Sequence, residues 1–115
     1  MGWATVEAGE ALGRSLNIEK GSRLGIFCTW GDLAAFGLMR SLGEKGLKVG
    51  EDYLLVGYDD LTFTRYFSPG LTTVRQPFIE MGRAAAVLAI TGIKDSSREP
   101  VHRMLQPELV VRETA

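Results

Sequence analysis

The sequence predicts an α/β fold, a mostly parallel sheet flanked by helices, and three observations carry that expectation. Stretches of helical periodicity alternate with short apolar runs in the order helix, strand, helix, strand, strand, helix, strand, the alternation that builds parallel sheets. The run Tyr53-Leu54-Leu55-Val56-Gly57-Tyr58 is apolar at nearly every position, as a strand must be when helices cover both faces of its sheet. Polar segments with glycine or proline separate the pieces.

Each element has its own justification. From Ala4 to Leu16, the residues Ala8, Leu12 and Leu16 share one helical face, while Glu7, Glu10 and Arg14 suit the solvent side. Gly9 and Gly13 leave room for a second element to approach closely. Asn17 to Arg23 is a polar connection, and Leu24 to Cys28 has the length and character of a buried strand. Asp32 offers a carboxylate to the first amides of a helix reaching about Lys45, with Gly46 as its left-handed stop. That helix is apolar nearly all round, through Leu33, Ala34, Ala35, Phe36, Leu38, Met39 and Leu42. One sheet face cannot cover all of it, so a further partner surface is implied.

After the central strand, the turn Ser68-Pro69-Gly70 leads into a strand from Leu71 to Arg75. Pro77 suits the first turn of the next helix, which places Phe78, Met81, Ala85 and Leu88 on one face and ends near Gly92. Asp95 to Pro100 is a polar loop. Val101 to Leu105 and Leu109 to Arg112 form two short strands interrupted at Pro107. There is no internal repeat and no linker-like tract, so the 115 residues are expected as one piece.

Composition bounds the function. Hydrophobic residues make up 45% and charged ones 23%, as in an ordinary globular domain. Thirteen basic against fourteen acidic side chains leave a formal charge of −1, which provides no footprint for gripping nucleic acid directly. No stretch reaches the ~18 apolar residues of a membrane span, and MGWATVEAGE lacks the basic and apolar regions of a signal peptide. A single cysteine, Cys28, excludes an internal disulfide and permits a cytoplasmic location. His102, the only histidine, lies far along the chain from Cys28, and no acid or histidine stands at metal-ligand spacing from the pairs Asp59-Asp60 and Glu51-Asp52. No glycine-rich phosphate loop follows a strand. Neither an enzyme nor a bound metal or cofactor is expected.

Three stretches together resemble the lac and purine repressor family. The most specific is Val56-Gly57-Tyr58-Asp59-Asp60 followed, after Arg65-Tyr66-Phe67-Ser68-Pro69, by Leu71-Thr72-Thr73-Val74-Arg75-Gln76-Pro77. Ile26-Phe27-Cys28-Thr29-Trp30-Gly31-Asp32-Leu33-Ala34-Ala35-Phe36-Gly37 is similar to that family's strand-to-helix segment, and Gly46 to Asp52 to its lead-in to the next strand. Leu105 to Thr114 is similar to its C-terminal ending. The resemblance runs from about Trp3 to the last residue.

It implies a partial type I periplasmic-binding-protein-like fold. Residues 1–115 would be the C-terminal portion of an effector-binding and dimerisation domain, with the DNA-binding headpiece and the first lobe outside it. The implied function is sensing a small molecule, a sugar or a nucleobase-like compound, between two lobes of a cytoplasmic transcriptional regulator. Such a regulator touches DNA only through its N-terminal headpiece, and a homodimer and no membrane association go with it. The alternative is a piece of a periplasmic sugar-binding transport protein; against it, the ending LQPELVVRETA resembles repressors.

By resemblance, Asp59 is a ligand contact at the carboxyl end of a strand, where α/β sheets open their binding crevice; the residues alone also allow it to cap the following turn. Asp60 reads as the capping member of the pair. Trp3 corresponds to a ring that stacks on ligand, or else to a core tryptophan. Gly31 stands where many relatives carry an asparagine contact, which removes one polar group, and Trp30 either compensates from the same loop or packs. Phe36, Met39 and Tyr66 fall at dimer contacts of relatives, or pack against elements outside this chain. Arg75, Gln76 and Pro77 lie at the crossing between the two lobes.

Overall fold

The computed structural model describes residues 4–94, 97 and 99–115. It divides into two compact units: the chain up to Arg75 together with Glu108–Ala115, and Gln76–Pro107. Where the sequence reads as one piece, the division falls at two single junctions, Arg75/Gln76 and Pro107/Glu108. Neither junction is a linker in composition, which is why no composition shift marks it.

The first unit holds α1 (Val6–Ser15), β1 (Leu24–Phe27), α2 (Asp32–Glu44), β2 (Tyr53–Tyr58), β3 (Thr72–Arg75) and the late strand β4 (Glu108–Val110). The sheet order is β1-β2-β3-β4. β1 and β2 pair in parallel with Leu24 opposite Tyr53, β2 and β3 in parallel with Val56 opposite Thr72, and β4 runs antiparallel to β3 with Glu108 opposite Arg75. The mostly parallel α/β expectation is met.

α1 begins after Thr5, whose hydroxyl accepts the Ala8 amide at 3.2 Å and so fixes the start two residues later than the Ala4 of the sequence pattern. Its C-terminal carbonyls are satisfied by Lys45, whose ammonium donates to the carbonyls of Gly13, Arg14 and Leu16 at 2.9, 2.7 and 2.6 Å. α1 lies on α2 with glycines at the contact. A Cβ on Gly9 would fall on the Ala34 carbonyl, one on Gly13 on the Ser41 hydroxyl, and one on Gly37 on the Val6 carbonyl. The close approach read from Gly9 and Gly13 is therefore present, and Gly37 completes it from the other helix.

The core forms where α2 meets the sheet: Ala34, Ala35, Leu38 and Leu42 pack with Cys28, Leu47, Tyr53, Leu55 and Leu71, and Leu12 and Leu16 of α1 lean against them. Leu38, Leu42 and Leu55 are fully buried, each contributing about 2 kcal/mol of transfer free energy. Since α1 covers much of what the sheet does not, only Leu33, at 40% exposure, and the partly buried Phe36 and Met39 remain of the expected open face of α2.

The end of the chain is built into the sheet. Thr114 is fully buried. Its carbonyl accepts the Leu55 amide at 2.8 Å, and its hydroxyl donates to the Leu55 carbonyl at 2.7 Å and accepts the Thr72 amide at 2.8 Å. It thus sits between β2 and β3 beyond the start of β3, and the Gly70 carbonyl accepts the amides of Glu113 and Thr114 beside it.

The second unit contains α3 (Phe78–Lys94) and the segment returning to Pro107. Pro77 lies just before α3, its carbonyl accepting the Met81 amide at 2.9 Å. The helix continues two residues past Gly92, because an internal glycine costs a helix only about 1 kcal/mol and does not end it. None of its described residues is buried. Val101 to Leu105 is not a strand: its pattern fits one, but among the described residues no neighbouring strand offers it a ladder. The polar loop expected over Asp95 to Pro100 lies in part outside the described residues.

Candidate functional site

The carboxyl ends of β1 and β2 lie side by side, since Phe27 is opposite Val56 and the Cys28 amide donates to the Val56 carbonyl at 2.8 Å. Gly31 follows β1 and precedes α2; Asp59 and Asp60 follow β2. Both aspartates have positive φ, 107° and 52°, a region that non-glycine residues seldom enter and that costs of order 1–3 kcal/mol. The turn is held by its amides. Asp59 donates to the Val74 carbonyl at 2.8 Å, Asp60 to the Thr73 hydroxyl at 3.3 Å, and Leu61 to the Asp32 carboxylate at 2.7 Å.

Asp59 is partly exposed. Gly31, at φ 97°, lies against it: a Cβ there would stand 3.0 Å from Asp59 Oδ2. Any side chain at residue 31 would be strained in its backbone and would crowd this carboxylate. The structure therefore brings together two of the residues singled out in the sequence, Asp59 and Gly31. Trp3, a third, lies outside the described residues. Trp30 packs against the core and, with Leu12, Ile26, Phe27, Cys28, Thr29 and Leu38, lines a cleft of about 220 Å³. Cys28 is buried, and that burial pushes its thiol up from its usual value.

Two carboxylates behave differently from expectation. Asp32 is not the cap of α2: Gly31 holds the cap position with no side-chain bond, and Asp32 is the first helical residue. Its carboxylate is fully buried and turns away from the helix, accepting the Thr73 hydroxyl at 2.6 Å and the Leu61 amide. Burial drives its pKa up against those hydrogen bonds, and the charges of Asp59 and Asp60 add to the rise.

Asp60 is not the cap of the turn that follows it: Leu61 holds that position with no side-chain bond, and among the described residues the Asp60 carboxylate accepts only from side chains. The Asp60 side chain, 3% exposed, accepts Arg112 on Oδ1 at 2.6 Å and Arg75 on Oδ2 at 2.7 Å, and Arg75 also reaches Glu108 at 3.0 Å. Burial alone would raise its pKa, but hydrogen bonds and charge from Arg112 and then Arg75 hold it below the usual carboxylate range. Arg75 and Glu108 are the residues at the two junctions between units, so the turn after β2 is tied to both crossings. Nothing local in the sequence signals this network, because Arg112 lies 52 residues from Asp60.

Phe36 belongs to an aromatic cluster with Phe67 and Phe63, at ring-centroid distances of 4.6 and 6.3 Å. Met39 packs against the core, and Tyr66 is 78% exposed. Among the described residues, no group of three or more histidines, cysteines or carboxylates is arranged to hold a metal ion. No described helix is long and apolar enough to cross a membrane. What the Asp59 turn offers chemically is a hydrogen-bond acceptor at a strand end, the arrangement that orients hydroxyl or ring N–H groups of a ligand.

Residues 3–115 match the model of the periplasmic binding protein-like domain family. The chain is 43% identical over 89 residues to the HTH-type transcriptional repressor PurR of Vibrio campbellii, covering 77% of this chain and 26% of that protein. It thus spans about a quarter of the length of that curated relative. Among solved structures, it is similar to a LacI family transcriptional regulator from Enterococcus faecium with bound ribose, with TM-score 0.79 and 31% identity, covering 96% of this chain and 40% of that one. It is also similar to the lac repressor dimer bound to operator and the anti-inducer ONPF, with TM-score 0.78 and 28% identity, covering 96% and 33%.

Proposed function

The chain belongs to the periplasmic binding protein-like domain family, and we propose that it forms the effector-sensing and dimerising part of a LacI-family transcriptional regulator, the class to which its relatives belong. In this reading residues 1–115 are the C-terminal portion of the sensor. A small molecule, a sugar or a nucleobase-like compound, is taken up between this lobe and a first one, and DNA is bound through an N-terminal headpiece of the whole protein. The regulator works in the cytoplasm and has no catalytic step. The relatives are repressors, so the transport alternative is not carried forward.

The observation that carries the proposal is the Asp59 carboxylate, partly exposed at the carboxyl end of β2 with Gly31 against it. Asp59 accepts hydrogen bonds from the effector, Gly31 keeps the approach clear, Trp30 shapes the loop beside them, and Trp3 supplies a ring for stacking. Phe36, Met39 and Tyr66 form the homodimer surface; Tyr66 exposes most of an aromatic ring, as a surface awaiting a partner does. Effector binding shifts the regulator only through unequal affinity for two lobe arrangements.

Calorimetric titration of the full-length protein with D-ribose and with guanine tests the site. Loss of one charge-assisted hydrogen bond in Asp59→Asn should weaken the probe that binds by about tenfold or more. An affinity equal to that of the unmutated protein would remove Asp59 from the site.

A further inference from the structure

The Asp59 turn has an unfavourable backbone and must be enforced by its surroundings. Of the three acceptors that fix its consecutive amides, one is the Val74 carbonyl and two are side chains, Thr73 and Asp32. Those two side chains are bonded to each other at 2.6 Å and both are fully buried. Thr73 has one proton and gives it to Asp32, which leaves a lone pair aimed at the Asp60 amide.

Asp32 reaches this position because room is made for it. A Cβ on Gly57 would fall on Asp32 Oδ1, so glycine near the carboxyl end of β2 admits the carboxylate. Asp32 also directly follows Gly31 in the chain. One carboxylate therefore ties the start of α2, next to Gly31, to the turn that carries Asp59, through the Leu61 amide and the Thr73 hydroxyl. A buried carboxylate is costly to maintain, and neither of its oxygens serves its own helix.

The geometry points to Thr73 and Asp32 as positioning residues for effector binding, holding the Asp59 carboxylate beside Gly31 in the arrangement that the effector meets. This rests on the reading of Asp59 given above. Neither residue touches the effector; both act through the turn.

Thr73→Val removes the hydroxyl at nearly constant shape, and Thr73→Ser keeps it. These variants and Asp59→Asn, made in the full-length protein, are titrated with D-ribose and with guanine, and amide hydrogen exchange is followed at Asp60, Leu61 and Leu55. Thr73→Val should speed exchange at Asp60 and Leu61 by about tenfold or more while Leu55 keeps its rate. It should also weaken the bound probe by about tenfold. Thr73→Ser should restore both. If Asp59→Asn costs affinity and Thr73→Val does not, the positioning role is overturned and the site stands; if Asp59→Asn costs nothing, the site itself falls. Should neither probe bind, exchange decides: unchanged rates at Asp60 and Leu61 in Thr73→Val overturn the role, and acceleration reversed by Thr73→Ser upholds it.

Discussion

Asp32 and Asp60 serve the same turn and respond to acid in opposite senses. Asp60 is held below the ordinary carboxylate range by two arginines, so its contribution is complete above an unfolded value of about 3.9 and is lost as pH falls through the lower folded value. Asp32 is raised, so the folded state keeps a proton that the unfolded state has released, and stability declines as pH rises through the raised value. Removing Asp60 leaves Arg112, 15% exposed, without its carboxylate. Asp60→Ala should cost about 3 kcal/mol at neutral pH, read from urea unfolding, and should abolish the part of the acid-side decline that Asp60 causes. A variant as stable as the parent would show that the paired charges contribute nothing net. The nearness of Asp59 to Gly31 is legible in the sequence as far as the order of elements goes, because one follows the apolar run of β2 and the other precedes the helical pattern of α2. The roles of Asp60 and Asp32 are not, because side chains distant in the chain decide them.

At the scale of elements, the contact of α1 with α2 depends on absent side chains. Gly37→Ala would set a methyl on the Val6 carbonyl, and separating two helices to admit it should cost about 1–3 kcal/mol. Gly43, in the same helix, has nothing within 4 Å of a built Cβ, and Gly43→Ala should stabilise by up to about 1 kcal/mol through helix propensity. Thermal unfolding of the pair separates packing from propensity; equal shifts would contradict the contact. Helix and strand order was readable because periodicity reports burial directly. Two readings failed for physical reasons. Leu24 to Cys28 reads as a buried strand, but β1 is the first strand in the sheet order, with Leu24 and Phe27 48% and 55% exposed. Val101 to Leu105 has strand chemistry, but a strand exists only where another edge receives its amides.

For the whole molecule, the second unit presents the sharper consequence. Ile79, Val87 and Ile93 of α3 are 72%, 60% and 85% exposed, far more apolar surface than one isolated helix keeps in water without associating. Sedimentation of the 115-residue chain should show concentration-dependent self-association, and a single sharp monomer with cooperative unfolding would refute this. The division at Arg75 and Pro107 leaves no compositional trace, because no glycine-, serine- or charge-rich tract stands at either place.

Thr114 carries a consequence for biosynthesis. Its bonds reach back 42 residues to Thr72 and 59 to Leu55, so the end of the β2–β3 seam at Leu55 stays open while the ribosome is still adding the intervening helix, even though Val56 to Tyr58 can already pair with β3. Closure of such long loops is slow. A nascent chain paused anywhere before that threonine emerges would display the Leu55 amide and carbonyl as an unprotected edge, the kind of surface that chaperones shield.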